Sequence, residues 1–392
     1  MDLPVMPPIK PMLAKAVPEM PVGDLLYEPK WDGFRCIIYR DGSEVELASR
    51  NERPLTRYFP ELIAPLMAAL PERCVVDGEL VIPSSRGLDF DLLSQRIHPA
   101  ESRVNLLSER TPASFVAFDI LALDTLDLRS LPFAERRGTL ESLLRVDGAS
   151  VHVTPATREV QIAQGWFNRF EGSGFDGIIA KPLDGTYVSD KRVQFKLKHH
   201  RTADCVVAGY REHKDGGIGS LLLGLYGPTS GGSPGLGGGV GGVADDGSAG
   251  LASVGGGTSL GDGRSGEVNG LHHVGVCSGF AASKRRTLGG ELSTYLLAEG
   301  EHHPWADWGD ADAHAEGIRL PGAPSRWSGG NASEWTPLRI ELVAEVTYEN
   351  FTNGRFRHPA RFVRWRPDKT PAECTYDQVD IPPPIEFEQI FR

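Results

Sequence analysis

The chain has 392 residues, room for two or three domains with cores of their own, and its changes of texture favour two. A formal charge of −11 argues against a protein that coats nucleic acid indiscriminately, and no apolar run approaches the roughly eighteen residues of a membrane span. Five scattered cysteines without a CxxC pair argue against both a disulfide frame and a four-thiolate zinc site, so we expect reduced, buried thiols. The start, Met-Asp-Leu-Pro, lacks the basic-then-apolar plan of a signal peptide, and the expectation is a soluble, cytoplasmic protein.

Residues 1 to 24 are rich in proline and read as an irregular arm packed on a domain. Next comes Tyr27-Glu28-Pro29-Lys30-Trp31-Asp32-Gly33-Phe34-Arg35. Proline biases its neighbours away from helix, so Lys30 belongs at a strand end, and the Asp32-Gly33 turn should reverse the chain into a second strand from Phe34 to Tyr39. An ammonium so placed is either a solvated surface charge or a nucleophile. Further strands are expected at Glu44 to Ala48, Cys74 to Ile82, Ser114 to Leu121, Gly177 to Lys181 and Val193 to Lys198. Helices are expected at Phe59 to Leu70, Phe133 to Leu144 and Glu159 to Phe170. The mixture reads as an α+β domain.

After Asp204 the texture turns to β, with strands at Cys205 to Tyr210, Leu221 to Tyr226, His272 to Cys277, Ile340 to Tyr348 and Arg361 to Trp365. One helix, Ser283 to Leu297, interrupts them, and the content is that of an oligonucleotide-binding barrel. Between Thr229 and Gly270, 17 of 42 residues are glycine. Such a stretch buries too little to offset its ordering entropy, so it reads as an insert between two strands with no chemistry assigned. Residues 298 to 332 read as a second long loop, in which His302 and His303 are a weak metal option because adjacent side chains seldom converge on one ion. Basic tracts at Lys181 to Lys214 and Arg355 to Lys369 either form a local track for a polyanion or are solvated faces.

Several short motifs recur in a fixed order: Lys30 in KWDGFR, Ser49-Arg50-Asn51, Asp77-Gly78-Glu79-Leu80, Phe118-Asp119-Ile120, Asp176 to Lys181, Phe195-Lys196-Leu197-Lys198, and Arg366-Pro367-Asp368-Lys369. Together they resemble the covalent nucleotidyltransferases, the superfamily of ATP-dependent DNA ligases, RNA ligases and mRNA capping enzymes. The chain is most similar to the short bacterial ATP-dependent DNA ligases of the C type. The resemblance implies an ATP-grasp-like nucleotidyltransferase (adenylation) domain at 1–200, then an OB-fold β-barrel domain at 201–392 carrying the 229–270 insert. It also implies a three-step sealing of 5′-phosphate/3′-hydroxyl breaks in duplex DNA, in DNA repair. Lys30 would take AMP from ATP, pass it to the 5′-phosphate of a nick, and the 3′-hydroxyl would then displace it.

A P–N bond suits this role because it is labile once protonated. The obstacle is that an ordinary lysine is neutral in only about one molecule in 2,500 at pH 7, a penalty of roughly 4 to 5 kcal/mol. By the same resemblance Lys196 and Lys198, on one face of a strand, would hold the α-phosphate and help keep the Lys30 amine neutral. Glu28 is assigned to the nucleotide, and Arg35 and Arg50 would grip ribose and phosphate. Phe118 would stack on adenine, although it reads equally as a core aromatic. Glu79 would bind the ribose or a metal. Asp176, where many relatives carry glutamate, is a candidate ligand for Mg²⁺ or Mn²⁺. Arg366 and Lys369 would swing over the pyrophosphate. Partners are nicked or broken duplex DNA and repair proteins, for a nucleoid-associated monomer. The competing readings are an RNA ligase or capping-type nucleotidyltransferase, or a non-catalytic OB-fold nucleic-acid-binding protein.

Overall fold

A computed structural model describes residues 1–84, 87–144, 150–170, 174–199, 201–228, 269–298, 300–306, 334–352, 354–379 and 386–391. The chain divides into two units, Met1–His199 with Ile381–Arg392, and His200–Asp380. The first unit therefore includes the terminal stretch that the 201–392 reading had given to the second.

Two sheets build the first unit. One runs Leu13–Val17, Arg192–Leu197, Phe175–Pro182, Leu25–Trp31 in spatial order. The other runs Val151–Val153, Ser114–Leu123, Arg73–Val81, Phe34–Asp41, Glu44–Ser49, with Leu126–Asp127 paired beside Ser114–Leu123. Its central strands are apolar almost throughout because both faces are covered. Cys36 and Ile38 enter one core with Leu66, Val76 and Phe115, while the alternate Ile37 and Tyr39 enter another with Leu3, Val5 and Ile9. Two expectations are corrected here. The proline-rich arm is not wholly irregular, since Leu13–Val17 pairs in parallel with Arg192–Leu197. Nor do the strands flanking Asp32-Gly33 form a hairpin, because Leu25–Trp31 and Phe34–Asp41 lie in different sheets.

Gly33 is required at that crossing by space rather than by backbone angle, since a Cβ there would stand 2.1 Å from the Leu80 carbonyl oxygen. The expected helix from Phe59 opens as a 3-10 turn, Pro60–Leu62, and continues as Ile63–Ala69, stopping before Pro71. Helices Phe133–Leu143 and Val160–Arg169 lie where the pattern put them. Phe90–Gln95 and Glu101–Arg110 were not anticipated; the first is capped by Asp89, whose side chain accepts from the Leu92 N–H.

The second unit is an antiparallel sheet ordered Asn269–Ser278, Ile218–Pro228, Arg201–Glu212, Val343–Tyr348, Arg361–Trp365. Among the described residues its ladder is open rather than a closed barrel, and its two outer regions are bridged at Ala360. That residue donates to the Val276 carbonyl and accepts from the Ser278 N–H. Helix Ala282–Leu292 is shorter than expected. The glycine-rich insert lies outside the described residues except for its last two, which begin the strand Asn269–Ser278. His303 is no metal ligand, because Nε2 donates to the Ala208 carbonyl and Nδ1 accepts from the Trp305 N–H. All five cysteines are buried and unbridged.

Candidate active site

The two sheets of the first unit face each other across a cavity lined by Glu28, Lys30, Arg35, Arg50, Glu79, Phe118, Lys181, Gln194 and Lys196, among others. Lys30 stands one residue from the end of its strand, and alternation along that strand puts it on the same side as Glu28. Its Nζ donates to Asp176 Oδ2 at 2.8 Å, and Lys198 Nζ reaches the same oxygen at 2.9 Å. Burial would raise the Asp176 carboxyl, but the two ammoniums outweigh it and hold it below the usual carboxylate range. Asp176 reaches this position through a bulge. The register with Leu25–Trp31 shifts between Phe175 and Ile178, and Gly177 sits at φ +114° where a Cβ would meet the Leu197 carbonyl oxygen at 1.9 Å.

Glu28 is buried, with Oε1 accepting from Arg137 at 3.1 Å and Oε2 paired with Lys181 at 2.7 Å. Arg137 also donates to the Thr154 carbonyl at 2.6 Å. Burial lowers the Lys181 ammonium, and the neighbouring Glu28 and Asp119 only partly oppose it. Arg35 is not a loose gripping arm: Nε and Nη2 each donate to Asp77 at 2.6 Å, and Tyr187 donates to the same carboxylate at 2.7 Å. The Phe118 ring is approached by the Arg35 guanidinium at 4.3 Å and the Lys181 ammonium at 4.4 Å. Arg50 is exposed, and Glu79, on Arg73–Val81, is half-buried. Burial pushes the Glu79 carboxyl up to about 7, against the pull of Arg35 and Lys30.

The structure thus gathers Glu28, Lys30, Arg35, Arg50, Glu79, Phe118 and Lys196 around one cavity, with Asp176 ion-paired to both Lys30 and Lys198. Arg366 and Lys369 lie in the second unit, paired with Asp204 at 2.8 and 2.7 Å. Sequence reasoning missed Arg137, and it quoted Lys181 without giving it a role. A lysine on the otherwise apolar stretch Gly177 to Ala180 was a readable signal; Arg137, beside Arg136 on a helix, offered none. Among the described residues no cluster of three or more His, Cys, Asp or Glu is arranged to hold a metal. The hard oxygens of Glu79 and Asp176 fit a divalent ion that keeps several waters and takes its other ligands from phosphate.

Comparison with known proteins adds to this geometry. Residues 8–198 match the family described as ATP dependent DNA ligase domain. The chain is 51% identical to DNA ligase C2 of Mycolicibacterium smegmatis, over 98% of this chain and 97% of that protein. It is 50% identical to DNA ligase C of Mycobacterium tuberculosis, over 100% and 99%. A solved structure, Pmar-Lig_PreS3, is similar in fold at 15% identity and a TM-score of 0.52, covering 92% of this chain and 68% of that one. A lysine held in a cationic chamber between two sheets, and similarity over nearly the whole length, place this chain in the family of ATP-dependent DNA ligases, among the short bacterial ligases of the C type.

Proposed function

We propose that the chain joins 5′-phosphate and 3′-hydroxyl ends in nicked or broken duplex DNA, in DNA repair, through a lysyl-AMP intermediate on Lys30. The observation that carries the reading is the pairing of Lys30 and Lys198 on one oxygen of Asp176, beside a cavity that also presents Glu79, Phe118 and Lys196. Once Lys30 has surrendered a proton, its Nζ forms a bond to the α-phosphorus of ATP while the bond to the bridging oxygen breaks, and pyrophosphate leaves with that electron pair. Lys196 and Lys198 hold the α-phosphate as point charges. Glu28, fixed by Arg137 and Lys181, and Arg50 bind the nucleoside, and Phe118 packs against its base. With Arg35 committed to Asp77, its part is to hold Phe118 in place.

Asp176 and Glu79 would hold Mg²⁺ or Mn²⁺, which supplies charge to neutralise the polyphosphate. Arg366 and Lys369 act on the departing pyrophosphate after leaving Asp204. The second unit is read as an OB-fold. Five strands, one helix and the Ala360 bridge between its outer regions support that reading. Likeness to named DNA ligases over nearly the full length favours DNA over RNA or a cap as substrate.

The test is to offer the chain ATP, GTP and NAD, each labelled in its nucleotidyl group, with Mg²⁺ or Mn²⁺. Covalent label should come from ATP alone. Label from GTP or NAD, or none from ATP, contradicts the proposal.

A further inference from the structure

The segment Phe387–Phe391 follows the second unit in the chain yet belongs to the first. Phe387 and Ile390 are buried in one cluster with Trp31, Val81, Val116, Phe170 and Phe175. The half-buried Phe391 stacks on Trp31 with ring centroids 5.6 Å apart and on His152 at 4.5 Å, and Phe387 meets the same two rings edge-on at 5.9 and 5.0 Å. Trp31 is the residue after Lys30 and the last of its strand.

Trp31 is also held by its polar edge. Its indole N–H donates to Thr154 Oγ1 at 2.8 Å, the Thr154 carbonyl accepts from Arg137, and Arg137 bonds Glu28. One connected set of contacts therefore pins residues on both sides of Lys30. Beyond Trp31 the chain leaves for the other sheet through Asp32-Gly33, and the ladder with Phe175–Pro182 pairs Trp31 with Phe175 and then Pro29 with Ile178, so the bulge leaves Lys30 between two registers.

We infer that Phe387, Ile390 and Phe391 form a clasp that positions Lys30 for its attack on the nucleotide, acting through Trp31 as positioning residues of the first chemical step. This rests on the lysyl-AMP reading above. Attack on phosphorus needs the amine in line, and a displacement of about 1 Å can cost about a hundredfold in rate. Aromatic rings packed behind the neighbouring residue fix the strand end where the bulge interrupts the backbone ladder. A stretch serving stability alone would need no contact with that residue.

The experiment compares the parent chain with Phe391→Ala, Phe391→Tyr and a chain lacking residues 386–392. It measures single-turnover lysyl-AMP formation, sealing of a nick already bearing AMP, and thermal stability. Phe391→Ala should lower the rate of lysyl-AMP formation at saturating ATP about tenfold with KM for ATP nearly unchanged. It should leave sealing of the adenylylated nick within about twofold of the parent, and Phe391→Tyr should restore the rate. The truncated chain should lose more, and added peptide 386–392 should recover part of it. If the truncated chain does not fold, Phe391→Ala decides alone. An unchanged rate of lysyl-AMP formation, with or without a fall in stability, overturns the inference, as does loss of both activities in equal proportion. Absence of AMP from the parent chain would instead refute the proposed function.

Discussion

Asp176 in the first unit and Asp204 in the second each bind two cations: Lys30 and Lys198 at 2.8 and 2.9 Å, Arg366 and Lys369 at 2.8 and 2.7 Å. Both carboxylates are nearly out of water, with side-chain exposures of 10% and 9%. Their company differs. Asp176 takes two lysines on a single oxygen and stands on a bulge beside Gly177. Asp204 meets Arg366 Nη1 through both oxygens, at 2.8 and 2.9 Å, and sits in a regular ladder opposite Glu345, its N–H donating to Gln378. Ammonium is a compact charge with freely rotating donors, whereas guanidinium is a rigid fork that rewards fixed geometry. The Asp176 arrangement thus suits ready exchange of partners when a divalent ion or a phosphate arrives, whereas the Asp204 arrangement holds Arg366 and Lys369 in a defined place until the polyphosphate draws them away.

The largest effect expected is from Lys30→Ala, which removes the nucleophile altogether. Sealing from ATP should fall by about ten-thousandfold, while a nick already carrying AMP is still closed in part, because only the first two steps need the amine. Equal loss of both activities in folded protein would count against the role given to Lys30. Asp176→Asn should cost about a hundredfold in lysyl-AMP formation and raise the Mg²⁺ or Mn²⁺ needed for half-maximal rate. A rate increase would mean that Asp176 only restrains Lys30.

The same change at Asp204 sharpens the contrast. Asp204→Asn should alter lysyl-AMP formation by about threefold or less, expressed in KM for ATP, and a hundredfold loss there would erase the distinction between the two carboxylates.

A pH profile separates Glu79 from both. Its carboxyl, pushed up to about 7, is neutral below that value and anionic above it, and only the anion binds metal strongly. Lysyl-AMP formation at limiting metal should therefore rise about tenfold from pH 6 to 8, and Glu79→Gln should lower the rate and flatten the slope. A falling profile would remove Glu79 from the site. The smallest effect is expected from deleting residues 229–268, which should change sealing by less than about twofold; a large loss with normal folding would show that the insert contacts DNA.

What could be read in the sequence was the chemistry carried by short motifs and the strands with clear local patterns. Lys30, Glu79, Lys196 and Lys198 announce themselves because a charge stands at a fixed place among apolar strand residues. What could not be read depends on distant approach. Gly33 reads as a turn residue and Gly177 as the start of a strand, yet the structure shows each making way for a carbonyl oxygen from another strand. Nothing local tells that the strands on either side of Asp32-Gly33 enter different sheets, or that Leu13–Val17 finds a parallel partner near residue 195. Arg137 is indistinguishable in sequence from a surface arginine, and only its burial against Glu28 gives it a part. The aromatic residues after Glu386 have no motif at all, and their contact with Trp31 is made across more than three hundred and fifty positions.

The most direct measurement is to map the attached nucleotide by peptide mass spectrometry after incubating the chain with ATP and Mg²⁺, without DNA. The account predicts one modified residue, Lys30, and no adduct in the Lys30→Ala chain. AMP on Lys181, Lys196 or Lys198, or an adduct that survives the loss of Lys30, would contradict it.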